Sequence, residues 1–321
     1  MSLVRIGLNI EQVLDKVKEL PTLPDVVFRV NEVVNDPSTS ATDLEKVISQ
    51  DQAIAAKVLR LVNSAFYGLP GRVDTLSRAI PLLGFSTVRN LVMSLSIFTA
   101  TPITDFDMKQ FWRHSFATST AAKAIAQADS LPDGESASLA GLIHDIGKVL
   151  LFQHFVKQVQ AVLKMVDDRG VSFIQAERSL YATDHAEIGG AIAEKWGFPP
   201  NLTAAIAHHH NPEPAGDLAD FVSIVASANV LTQPIEEGFL LDAGYELAAE
   251  ACEGLYPLSQ KTFSNVQRDL DKQMQFFENF IDRMEVFRRP STLAQPEPPL
   301  PPGKKKKDSG LWKLPEKQNE N

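Results

Sequence analysis

Cysteine is nearly missing from this chain: Cys252 is the one thiol in 321 residues. That excludes an internal disulfide and any multi-cysteine zinc site. Long apolar runs are missing too, and none approaches the roughly 18–20 residues that span a bilayer. The opening "MSLVRIGLNIEQVL" has neither the apolar core nor the small-residue cleavage site of a secretory signal. A cytoplasmic protein with no membrane partner is therefore expected. Positive charge is in deficit, with 31 Lys and Arg against 40 Asp and Glu. Six of the lysines fall in residues 291–321, so residues 1–290 carry a net −11. A body of that sign suits phosphate-backbone tracking poorly, and nucleic acid is not an expected partner. Strand-like alternation is scarce as well.

What remains is a helical pattern in a chain long enough for one large domain or two ordinary ones. Ile10, Val13, Leu14, Val17 and Leu20 share one helical face, and Val26, Val27, Val30, Val33 and Val34 share the next. Thr42 and Glu45 form a candidate capping box, and Asp51 a cap for the helix carrying Ile54, Val58, Leu61, Val62 and Ala65. "YGLPG" (67–71) reads as a turn. Helices are expected over about 75–83 and 86–99, divided by Gly84, with Ser86 as the second one's cap. That pair superficially suggests a DNA-reading helix-turn-helix, but its second helix offers only Arg89 and Asn90 as polar readers, so ordinary packing is preferred.

The expected organisation is an N-terminal helical lobe (1–105), a second helical lobe (106–232), a helical extension (233–290) and a disordered Pro- and Lys-rich tail (291–321). In the extension, Phe263, Val266, Leu270, Phe277, Phe280 and Met284 recur at steps of mostly three and four. Such a stripe could pair with a second copy as a homodimer, although packing on its own domain is the preferred reading.

All seven histidines fall between residues 114 and 210. Neutral imidazoles with a carboxylate suit Fe, Mn, Ni or Zn, and a carboxylate can bridge two ions. The candidates are His114, the adjacent pair His144-Asp145, His185, and two of His208, His209 and His210. His144 and Asp145 interrupt the apolar run "LAGLIHDIGKVLL", where a buried charge is costly unless paired or metal-bound. A hydrogen-bonded helix-end pair would also explain them. Lys148 reads either as a solvated charge or as a phosphate contact. His154 reads as a surface or satisfied polar residue.

The stretch "LVNSAFYGLPGRVDTLSRAIPLLGFSTVRNLVMSLSIF" (61–98) closely resembles the N-terminal signature of bacterial HDOD proteins. "HDIGK" (144–148), "HAEIGG" (185–190) and "HHNP" (209–212) resemble the second half of that signature, and the likeness covers residues 13–232 in order. The resemblance implies an all-α fold related to the HD superfamily of metal-dependent phosphohydrolases. It also implies a part in bacterial signalling or regulation. By that resemblance His114, His144 and Asp145 would hold one divalent ion. His185 and His209, with His210, would hold a second, and Asp145 would bridge them.

The resemblance also asks for a late aspartate, and the best match is Asn229, which brings no charge. Two ions on a single Asp145 carboxylate would leave an excess of about three positive charges, unless Asp184, Glu187 or a bound phosphate compensates. The Gly-Tyr-Pro loop of related cyclic-dinucleotide hydrolases is absent from "HHHNPEPAGDLAD". A regulatory protein acting on a signalling partner, with one or two metal ions and no organic cofactor, is the first expectation. The alternative is a hydrolase of a phosphate-containing small molecule, in which Asp145 orients the attacking water and Lys148 stabilises phosphate charge.

Overall fold

The computed structural model describes residues 8–17, 29–30, 33, 36, 38–51, 54–56, 58–59, 73, 75–85, 88, 92, 107–128, 134–235 and 238–283. Over these the all-helical expectation is borne out. The elements are α1 (Ile10–Val17), α2 (Ala41–Ile48), α3 (Leu76–Leu83), α4 (Met108–Ala128), α5 (Gly134–Ile143), α6 (Ile146–His154), α7 (Val156–Arg169) and α8 (Phe173–Leu180). They continue with α9 (His185–Lys195), α10 (Pro200–His208), a 3-10 turn (Glu213–Leu218), α11 (Ala219–Leu231), a 3-10 turn (Leu240–Ala243), α12 (Tyr245–Ala251) and α13 (Gln260–Arg283). The strands β1 (Pro234–Ile235) and β2 (Gly238–Phe239) pair antiparallel, Pro234 opposite Phe239. They are too short to alter the class.

Caps place several boundaries, and one differs from the sequence expectation. The capping box of α2 is Ser40 with Asp43, not Thr42 with Glu45. Ser40 Oγ takes the Asp43 N–H while the Asp43 carboxylate takes the Ser40 N–H. The Thr42–Glu45 pair lies two residues too far along, inside the helix rather than at its cap. Asp51 does cap the following turn, accepting from Ile54 N at 3.0 Å. Gly84 ends α3 at φ 84°, a conformation that favours glycine. The 67–71 turn, Ser86 and most of 86–99, part of the 26–34 face, Leu20, Leu61, Val62, Ala65, Met284 and the tail lie outside the described residues.

Two cores result. One runs from Leu8 and the α2–α3 residues Leu44, Ile48 and Ile80 through α5 to α10, and reaches Val225 on α11. The other gathers Ala117, Ala121 and Ile125 of α4 with Ile224, Ala228, Ala248 and Cys252. The C-terminal stripe contributes Phe263, Val266 and Leu270 to this second core, so the first half of the stripe packs on its own domain. The side chains of Phe277 and Phe280 are not among those described. α4 lies between the cores and packs against α5, α11 and α13. Its alanines let those axes approach closely. Among the described residues, no single helix is long and apolar enough to cross a membrane.

Glycine sets the tightest helix crossing. A Cβ on Gly147 would sit 1.9 Å from the His185 carbonyl oxygen, and one on Gly190 would sit 2.5 Å from Ala207 Cβ. These glycines hold α6 against α9, and α9 against α10, at backbone contact distance. Gly147→Ala is expected to lower stability by at least the about 1–3 kcal/mol typical of overpacking. A denaturant titration checks this, and an unchanged midpoint would show that the crossing relaxes freely.

Candidate metal centre

The run "LAGLIHDIGKVLL" is not one helix. It breaks at a turn formed by His144 and Asp145, between α5 and α6, and that break turns both side chains inward. His114 projects from the middle of α4, and His185 opens α9. His209 and His210 follow the end of α10. The structure thus brings His114, His144, Asp145, Lys148, His185, His209 and His210 together from five separate places. His114, His144, Asp145, His185 and His209 are each no more than 1% exposed.

Asp145 is the hub. Its Oδ2 lies 3.4 Å from His144 Nε2 and 3.8 Å from His114 Nε2. Its Oδ1 lies 3.2 Å from His185 Nε2 and 3.5 Å from His209 Nε2. One carboxylate oxygen therefore faces each half of the cluster. The two halves, His114–His144–Asp145 and His185–His209–His210, each have ligand atoms within 4.8 Å of one another. Asp145 Oδ1 and His209 Nε2 are buried and find no hydrogen-bond partner among the described residues.

The opposite ring nitrogens explain this convergence. His114 Nδ1 donates to the Thr232 carbonyl at 3.0 Å, His144 Nδ1 to the Gly141 carbonyl at 2.8 Å, and His209 Nδ1 to the Ile206 carbonyl at 2.9 Å. A carbonyl can only accept, so each Nδ1 carries a proton and each ring turns its Nε2 inward. Burial lowers the His114 pKa to about 3 and that of His209 to about 4. Both rings are neutral near pH 7. Lone pairs converging on an ionised carboxylate repel unless a cation lies among them. This donor set, with its orphaned buried atoms, fits a divalent metal ion.

Two cations of the protein's own already enter the cluster. Lys148 Nζ donates to Asp145 Oδ2 at 2.5 Å and is buried with it. So Lys148 is neither a solvated charge nor turned to an outside phosphate. Burial opposes ionisation of Asp145, but His144 and the Lys148 ammonium outweigh it and hold the carboxyl well below its usual range. The other cation is the His185 proton. Burial would lower that pKa, yet the Glu177 carboxylate at 2.5 Å from Nδ1 prevails and raises it to about 9. The protonated ring also donates from Nε2 to His210 Nε2 at 3.0 Å. Burial and the neighbouring His209 push His210 down, which leaves it as the acceptor.

The two acids expected to compensate have other partners, although the buried Asp184 also feels the charge of His185. Asp184 caps α9 by accepting from Ala186 N and Glu187 N, and it pairs with Arg178. Glu187 is exposed and accepts from Thr183 Oγ1. The sequence reading missed Glu177, which is fully buried on α8. Nothing in the linear pattern marks it, because eight residues and a helix boundary separate it from His185. Asn229 is buried on α11, one turn before the Thr232 that holds His114, and its Oδ1 has no donor among the described residues. His154 and His208 are half-buried and stand outside both groups.

The chain and its fold are similar to those of known proteins. The profile of the HDOD domain matches residues 20–212. The chain belongs to the HDOD domain family. An uncharacterized protein of Treponema pallidum (strain Nichols) is 28% identical over 224 residues, which cover 68% of this chain and 43% of that protein. The HDOD chain thus spans less than half the length of that relative. The crystal structure of an HDOD domain protein of unknown function from Geobacter sulfurreducens superposes with a TM-score of 0.68 at 24% identity, over 85% of this chain and 96% of that one. A Shewanella amazonensis SB2B structure carrying the name "Putative phosphohydrolase" superposes at 0.67 and 25% identity, over 83% and 97% of the two chains.

An ion taken up at His185 Nε2 would have to displace the proton held there. Apparent affinity should therefore fall as pH falls below about 9, by about tenfold per unit while one proton is displaced, and level off above it. Calorimetric Mn²⁺ titrations in buffers of different ionisation enthalpy measure the protons released. Binding with no proton release would show that His185 is not displaced.

Proposed function

We propose that this HDOD protein is a signalling module that acts by binding a regulatory protein partner, with its metal site serving to hold the helices rather than to turn over a substrate. The observation that carries this reading is the closure of the site. The bridging Asp145 oxygen Oδ1 and the His209 Nε2 are buried from solvent, and Oδ2 is taken by Lys148. Substrate phosphorus has to reach the ions that polarise it, and these atoms are closed to solvent, His210 being the partly exposed member of the set. The neutral Asn229 adds to this, because it removes the second carboxylate that an HD dimetal centre would use.

A divalent ion here would supply positive charge and Lewis acidity. His185, His209, His210 and Asp145 would hold it from three places along the sequence, tying α9 and α10 to the α5–α6 turn. An ion that binds only the folded state stabilises that state. Fe, Mn, Ni and Zn all suit the donors. The partner surface would lie on the helices outside this core.

A phosphohydrolase is the second reading. The retained set of His114, His144, Asp145, His185 and His209 favours it, as does the name of the Shewanella protein. Assays of bis(p-nitrophenyl) phosphate and nucleoside monophosphates with the Mn²⁺- or Zn²⁺-loaded protein separate the two. The expected result is no turnover above that of the His144→Ala variant. A wild-type rate that this substitution abolishes would establish the hydrolase.

A further inference from the structure

The buried charges are unevenly shared between the two halves of the centre, and this bears on how many ions it takes. The half formed by His114, His144 and Asp145 Oδ2 already contains a cation, the Lys148 ammonium at 2.5 Å from that oxygen. The other half holds the two orphaned atoms, Asp145 Oδ1 and His209 Nε2. It also has a second carboxylate one imidazole away. Glu177 Oε2 accepts from His185 Nδ1 at 2.5 Å and lies 3.4 Å from the His185 backbone N–H. Its Oε1 has no donor among the described residues. A buried carboxylate in that state needs a compensating positive charge.

From this we infer that the chain takes one divalent ion, in the half formed by His185, His209, His210 and Asp145 Oδ1. Glu177 is the positioning residue that supplies, through His185, the negative charge missing at Asn229. This rests on the metal-binding part of the reading above and deepens it. One ion with Asp145, Glu177 and Lys148 leaves a buried excess of about one positive charge, whereas two ions would leave about three. Glu177 also fixes the ring. With Nδ1–H committed to a carboxylate, His185 Nε2 is turned inward and made more basic, as a carboxylate–histidine–metal relay requires.

The test is titration of metal-free full-length protein with Co²⁺ alone, followed by calorimetry and visible absorption. Wild type is expected to bind one ion per chain. Glu177→Gln keeps the shape but removes the charge, so it should weaken binding by about 10–100-fold and alter the cobalt absorption bands at saturation. Glu177→Asp, which restores the carboxylate, should recover part of that loss and covers the case in which the glutamine variant does not fold. His114→Ala should still bind one ion within a few-fold of wild-type affinity. Two ions in wild type, unchanged binding in Glu177→Gln, or loss of binding in His114→Ala would each overturn the inference while leaving a metal site in place. No binding by wild type would overturn both this inference and the metal site itself.

Discussion

A carboxylate with almost no access to water, ringed by imidazoles, governs this structure. Asp145 is about 1% exposed and ionised, a state that survives only because positive charge reaches it from inside the fold. Lys148 reaches it along the first turn of α6, and the His185 proton stands close to its other oxygen. The ordering of the surrounding helices follows from that demand. The α5–α6 break turns Asp145 inward, Gly147 lets α9 approach to backbone contact, and the cap at Asp184 starts α9 so that His185 is its first residue.

The same arrangement explains why the histidines are not interchangeable. Three of them have Nδ1 fixed by main-chain carbonyls of Thr232, Gly141 and Ile206, so their orientation belongs to the fold. His185 is fixed by a side chain instead, and that side chain is charged. Of these four rings one therefore answers to a carboxylate and three to neutral dipoles, while the fifth, His210, meets the His185 ring. This asymmetry divides a nearly symmetric cluster into two chemically different halves.

Much of this was legible in the sequence. Helical spacing revealed the all-α class, and the quoted motifs led to the family. His114, His144, Asp145, His185, His209 and His210 were all named from sequence and do converge in space. What escaped was held in tertiary contacts. Glu177 has no motif, because it is positioned by α8 packing beside the start of α9. Asp184 and Glu187 looked available for charge compensation, but capping and surface exposure decide their roles, and spacing reports neither. Lys148 could not be resolved between solvent and phosphate, since its partner lies one turn back along its own helix and depends on how deeply that helix is buried. The capping box of α2 was misplaced by two residues, the usual scale of error where several Ser, Thr, Asp and Glu crowd a helix start.

The bond from His114 to the Thr232 carbonyl has a consequence for how the chain folds. Its two ends are 118 residues apart, and the His144 contact with His114 closes a further separation of 30. Loops of that length form late, because their closure entropy must be met before any contact rewards it. Of the cluster's ligands, only the adjacent pairs His144-Asp145 and His209-His210 are neighbours in an unfolded chain. The complete centre therefore exists only once both cores have assembled around α4, and an ion seated in it marks a chain whose topology is already finished.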